Sequence, residues 1–184
     1  HAFDINQVKG GKIIVENAKD GEVFTTLDGT ERTLTDDMLL IKDAERGIAI
    51  AGVMGGLNSE IEEDTKTIIV ESANFAGSSV RTTSKKLGLR TEASARFEKG
   101  IDPNLCEAAA DRVCRLIELT GAGKVCKGSV DNYPVPEEAK TIDIRVDRIN
   151  RVLGIELERQ EMVDILESLE IKVAGSGNIM TVTP

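Results

Sequence analysis

Residues 47–56 read GIAIAGVMGG. The first half, Gly47–Ala51, is a short apolar run of strand length, and the second half, Gly52–Gly56, holds three glycines in five residues. Such a run bounded by turn residues predicts a buried strand that ends in a tight turn. Glycines at its end permit positive φ and a close backbone approach, either to a ligand or simply to a neighbouring strand. A phosphate loop is excluded, because no Gly-Lys-Ser/Thr follows and the Rossmann spacing is absent.

Upstream, Lys12–Glu16, Glu22–Thr26 and Met38–Lys42 are further apolar or alternating runs. Gly10-Gly11, Asp20-Gly21 and Asp28-Gly29 separate them, and Asp28-Gly29 suits a hairpin. Downstream, Thr67–Val70 predicts another strand, followed by Glu71-Ser72-Ala73-Asn74-Phe75 and a helix from about Phe75 to Leu87 that Gly88 stops. Asp102 and Pro103 open a second helix with Leu105, Ala109, Val113, Leu116 and Ile117 as its expected buried stripe, and Gly121 ends it. Lys124–Tyr133 is expected to return as a strand.

Tyr133–Lys140 carries two prolines and a charge run, which predicts a linker. Beyond it, Thr141–Val146 reads as a strand and Asp147 as the cap of a short helix that stops at Gly154. A second helix over about Glu158–Glu170 places Met162, Ile165, Leu166 and Leu169 on one face, and two β segments follow. The fold class is therefore α+β: mixed or antiparallel sheets with flanking helices, then a small α+β unit with a helix pair.

Composition narrows the function classes. The chain has 184 residues, a net charge of -9 and 3% aromatics. The core must then rest on Ile, Val, Leu and Ala, and a base-stacking platform is disfavoured. The acidity argues against a long polyphosphate grip and against DNA docking by the helix pair at 147–169. No apolar run reaches membrane-spanning length. Cys106 and Cys114 fall two turns apart on one helix, roughly 12 Å, too far for a disulfide, so the cysteines read as small buried thiols. With one histidine, His-based metal sites and serine-type triads lack parts.

Two further clusters can carry chemistry. Glu71 follows the apolar run Ile68–Val70, and a carboxylate there is either poised at a site edge or a plain capping or ion-paired glutamate. Arg81–Lys99 contains six basic and two acidic residues, an excess of four positive charges inside an acidic chain. That excess fits contact with a few phosphates, or an ordinary solvated helix face. The residues alone reach an acidic α+β domain with a possible pocket between residues 52 and 94.

Four stretches in order, His1–Asp4 (HAFD), Gly52–Gly56 (GVMGG), Glu71–Phe75 (ESANF) and Arg90–Asp102 (RTEASARFEKGID), resemble the editing module of the bacterial phenylalanyl-tRNA synthetase beta subunit, its third and fourth domains together. Asp147–Leu169 resembles the opening of the fifth domain. The resemblance implies residues 1–137 as an editing module lacking its N-terminal part, and 138–184 as the start of the next domain, cut at its C-terminal end.

The implied activity is hydrolysis of tyrosine mischarged on tRNA(Phe). A phenylalanine pocket cannot strongly reject an analogue that adds only a hydroxyl, whereas a second site can demand that hydroxyl. By the resemblance, Glu71 recognises the substrate phenol, Gly55 forms the pocket wall, and Ala93 lies beside the aminoacyl group. His1 lines the pocket near the ester, and the Thr91 hydroxyl with nearby backbone N–H groups holds the ester carbonyl or a water. Lys85 and Arg90 are the implied tRNA contacts. Partners are tRNA(Phe) carrying Tyr and the alpha subunit, in an alpha2-beta2 parent located in the cytoplasm. No cofactor or metal is implied for this chain, since ATP and magnesium serve the parent's aminoacylation. A non-catalytic structural or tRNA-positioning module, or a freestanding trans-editing relative, are the alternatives.

Overall fold

The computed structural model describes His1–Pro184, which divide into two compact units, His1–Ser129 and Val130–Pro184. Both are α+β, and every strand pair is antiparallel.

In the first unit, β1 (Ala2–Asp4) pairs with β8 (Ile68–Val70). A four-stranded sheet has the order β2 (Ile14–Asn17), β5 (Leu39–Lys42), β6 (Gly47–Ile50), β7 (Met54–Gly55). β3 (Val23–Thr25) and β4 (Glu31–Thr33) form a hairpin around Asp28-Gly29. Helices α1 (Gly77–Lys86), α2 (Glu92–Phe97) and α3 (Cys106–Leu119) follow.

β6 is buried at all four positions, as its unbroken apolar run requires. Leu34, Met38, Leu40, Ile48 and Ile50 are essentially closed to solvent around it, and Phe75, Val80 and Leu89 join them from the helical segment. Three of the four phenylalanines, Phe3, Phe24 and Phe75, are also buried in this core, so its aromatic share exceeds the expectation.

Several expectations are corrected. Lys124–Tyr133 forms no strand, and Val130 is fully exposed. A strand needs a ladder partner for its backbone groups, and none lies beside this segment. On α3 the expected stripe is largely solvent-facing: Leu105 is 59% exposed, Val113 and Leu116 42% each. Periodicity marks an apolar face but does not supply a cover for it. Cys106 and Cys114 are only half-buried on this helix and Cys126 is exposed.

The second unit has the sheet order β10 (Lys172–Ala174), β11 (Ile179–Thr183), β9 (Ile142–Arg145). α5 (Arg159–Ser168) packs Met162 and Val163 against Met180 and Val182 of β11, and α4 (Val146–Leu153) adds the partly buried Val146 and Ile149. Gly154 ends α4 in the left-handed conformation. Asp147 lies inside α4 rather than capping it, and exchanges two hydrogen bonds with Asn178. On α5, Met162 and Leu166 face the core as expected, but Ile165 and Leu169 are exposed and Val163 is buried instead.

Candidate functional site

β6 delivers the chain to the turn at Gly52, whose φ is +68°. A Cβ there would lie 2.9 Å from Val80 and 3.0 Å from Phe75, so the turn and its packing both require glycine. Three residues on, buried Gly55 meets a different neighbour. A Cβ on Gly55 would stand 2.7 Å from His1 Cε1, 2.8 Å from His1 Nε2 and 3.0 Å from Leu27 Cδ1. The imidazole therefore rests against the bare Cα of Gly55.

His1 is held there from two sides. Its ring packs on Phe3 at 4.7 Å between centroids. Its backbone continues the β1–β8 ladder by one residue: the Glu71 N–H donates to the His1 carbonyl at 2.7 Å, and the His1 main-chain nitrogen donates to the Glu71 carbonyl at 2.8 Å. Glu71 is thus next to His1 by strand pairing, seventy positions away in sequence.

The strand before Glu71 is only half-buried, with Ile68 36% exposed, but the Glu71 carboxylate itself is well desolvated. Burial pushes its carboxyl above the usual glutamate range. The residue is half-buried, and its side-chain oxygens keep some contact with solvent and pair with no protein group.

Thr91 caps α2. Its side chain accepts from the Ser94 N–H at 3.1 Å, while Ser94 Oγ accepts from the Thr91 N–H at 2.9 Å. The Thr91 hydroxyl donates to the Val53 carbonyl at 2.7 Å. Its one hydrogen is committed, so it cannot donate to an ester carbonyl as expected; a remaining lone pair can accept from a water. Ala93 lies half-buried in the first turn of the same helix.

The structure therefore sets the His1 ring against Gly55 and pairs Glu71 with His1 through the main chain, and the Thr91 hydroxyl reaches the Val53 carbonyl two residues before Gly55. Sequence reasoning missed Leu27, Val53 and Ser94. The Thr91-x-x-Ser94 spacing was a legible capping signal, but Leu27 reaches Gly55 from the β3–β4 hairpin tip and carried none.

Lys85 and Arg90 are exposed and have no carboxylate partner, as are Arg81 and Lys99. Lys86 is bound to Asp37 at 2.8 Å, and Arg96 lies 3.7 Å from Glu92 across an exposed helix turn. Two open cavities lie elsewhere. One of about 650 Å³ includes Ile144, Arg148, Ile149 and Val152, and one of about 420 Å³ includes Phe24, Arg46, Leu57 and Asn58. No group of three or more His, Cys, Asp or Glu is placed to hold a metal ion. No helix is long and apolar enough to cross a membrane.

Residues 1–121 match the family model described as the B3/4 domain, and residues 142–184 match the one described as the tRNA synthetase B5 domain. Among curated proteins, the phenylalanine–tRNA ligase beta subunit of Clostridium tetani is 48% identical over 183 residues, covering 100% of this chain and 23% of its own length. That of Geobacter metallireducens is 51% identical over 173 residues, covering 94% of this chain and 22% of its own. That of Bacillus subtilis is 42% identical over 183 residues, with 100% and 23% covered. The chain spans less than a quarter of the length of these relatives.

Proposed function

From the premise that the chain belongs to the B3/4 domain family, we propose that it is the editing part of a phenylalanine–tRNA ligase beta subunit and hydrolyses Tyr-tRNA(Phe). The observation that carries this reading is the juxtaposition of Glu71, His1 and Gly55. Main-chain pairing sets Glu71, whose carboxylate is largely withdrawn from solvent, opposite His1, whose imidazole is seated on a glycine.

The chemistry follows from what Glu71 lacks. A tyrosyl phenol donates its O–H to that carboxylate and satisfies it. A phenylalanyl ring would displace water and leave the carboxylate orphaned, at a cost of about 1–3 kcal/mol or more. Selectivity for the hydroxylated amino acid arises from the penalty on the other one.

Hydrolysis is direct attack of a positioned water on the ester carbonyl. Water adds to the carbonyl carbon, the ester C–O bond breaks, and the ribose hydroxyl leaves with a proton. His1 lies at the ester end and holds the water, with Thr91 contributing a lone pair and the rigid Val53–Gly55 wall. Positioning is the main contribution, since no activated nucleophile is at hand. Trapping an acyl-enzyme during turnover would overturn this.

tRNA(Phe) engages Lys85 and Arg90, and the parent enzyme is cytoplasmic and pairs this subunit with an alpha subunit in an alpha2-beta2 assembly. ATP and magnesium belong to that parent's aminoacylation.

The test is deacylation of Tyr-tRNA(Phe) against Phe-tRNA(Phe), by the 184-residue chain and by a full-length synthetase containing it. Selective loss of tyrosine supports the reading. No selectivity from the full-length enzyme leaves a structural or tRNA-positioning module.

A further inference from the structure

At Gly55 three separate parts of the first unit converge. β7 supplies its backbone, β1 brings His1, and the β3–β4 hairpin brings Leu27. The hairpin tip is not loosely placed. The Leu27 N–H donates to the Gly55 carbonyl at 3.0 Å, and Thr26 bridges Gly56 in antiparallel fashion. Thr26 is fully buried, and its hydroxyl donates to Asp28 at 2.6 Å. Arg32 then locks the hairpin from its base. It donates to Thr26 Oγ1 at 3.0 Å, to Asp28 at 2.8 Å and, across the fold, to the Leu87 carbonyl at the end of α1 at 3.1 Å.

This framework gives Leu27 little freedom. Its Cδ1 and the His1 ring share the space that a side chain at position 55 would fill. The missing Cβ of Gly55 is therefore not vacant room. It is occupied by the imidazole and a leucine methyl together.

We propose that Leu27 is a specificity-determining residue of this site: from the hairpin tip it sets how deeply His1 seats on Gly55, and so the width of the slot that admits the aromatic side chain. This rests on the editing reading. Leu27 contributes no polar group, so it acts on shape. A shorter residue lets the imidazole slide toward the hairpin and widens the slot. The same geometry means that bulk at position 55 first displaces His1. Its effect is then relieved when Leu27 is shortened, because the imidazole gains somewhere to go.

Two measurements test this. In the 184-residue chain, His1 is the sole histidine, so its imidazole Hε1–Cε1 resonance is a unique reporter. Leu27→Ala shifts that resonance, and Leu27→Met moves it back toward the original position. In the full-length synthetase, Leu27→Ala lowers the Tyr-tRNA(Phe) over Phe-tRNA(Phe) ratio of kcat/KM about tenfold, the scale of removing apolar contacts from a pocket. Leu27→Met recovers most of the ratio. Gly55→Ala loses activity, and Leu27→Ala in that background restores part of it.

Unchanged discrimination and an unmoved His1 resonance in Leu27→Ala, with wild-type editing intact, overturn the proposal alone. Strict additivity of Gly55→Ala and Leu27→Ala also overturns it, since residues sharing one space must couple. Absence of selective deacylation by the wild-type enzyme instead overturns the editing reading, and the specificity role with it.

Discussion

The Thr91 hydroxyl donates to the carbonyl of Val53 at 2.7 Å, joining the N-terminus of α2 to the turn that carries Gly55. One side chain thus serves as helix cap and as a strut between two walls of the site. Thr91→Ala removes both. The lost cap alone costs about 1 kcal/mol, and the Val53 carbonyl left without its donor adds to it. Thr91→Ser keeps the hydroxyl and restores most of the loss. Urea unfolding of the two variants checks the stability, and deacylation rates check the strut. Equal midpoints for Thr91→Ala and wild type would remove the strut.

The elements legible in sequence are those whose signal is local. β6 was readable from an unbroken apolar run, and the end of α1 from Gly88, which has φ +60°. The hairpin was readable from Asp28-Gly29, though its second strand, Glu31–Thr33, is too polar to announce itself. β1 was hidden because three residues at the chain start become a strand only by pairing with Ile68–Val70. The site follows the same division. Glu71, Gly55 and Thr91 stand in recognisable stretches, whereas Leu27 belongs to the site through tertiary contact alone. The exposed stripe on α3 shows the converse: Val113 and Leu116 have the right spacing but no covering element.

Glu71 is costly to ionise in the folded chain. Its carboxyl is raised above the usual glutamate range, burial being the cause. A raised folded-state value means its favourable contribution is complete below the unfolded value and is lost as pH rises through the folded one. Glu71→Gln therefore stabilises the fold near neutral pH and confers no such gain well below 4.5. The same variant loses discrimination between Tyr-tRNA(Phe) and Phe-tRNA(Phe). Urea midpoints measured across pH decide the first point. A variant less stable than wild type at pH 7 would contradict it.

Asp43 has the opposite sign. Its carboxylate, in a residue only 2% exposed, accepts from the backbone N–H groups of Lys9, Glu45 and Arg46. Burial works to raise its value, but these three donors and Arg46 together hold it below 3.8. Asp28 is lowered to about 2, chiefly by the Thr26 hydroxyl and the Thr30 N–H. Depressed carboxyls stabilise fully above their unfolded value and lose that contribution as pH falls through the folded one. Acid unfolding is therefore expected to begin below 3.8 and to run on toward 2. Asp43→Ala, which orphans buried N–H groups, costs about 3 kcal/mol at neutral pH and flattens the acid limb. An unchanged acid profile in that variant would assign the limb to other carboxylates.

Lys85 and Arg90 keep their charge free, whereas Lys86 spends its charge on Asp37 and Arg96 lies near Glu92. If the free pair meets the tRNA backbone, each neutralised phosphate releases counterions, and binding weakens as salt rises. Replacing Lys85 and Arg90 by Gln in the full-length synthetase raises KM for Tyr-tRNA(Phe) with little change in kcat. It also makes the dependence of log KM on log salt shallower by about 1–2. Replacing Lys86 and Arg96 leaves that slope nearly unaltered, because each already has a carboxylate beside it. Parallel slopes for the Lys85/Arg90 variant and wild type would show that this face does not touch phosphate. A matching drop from the Lys86/Arg96 variant would show that net charge, and not these two positions, governs the encounter.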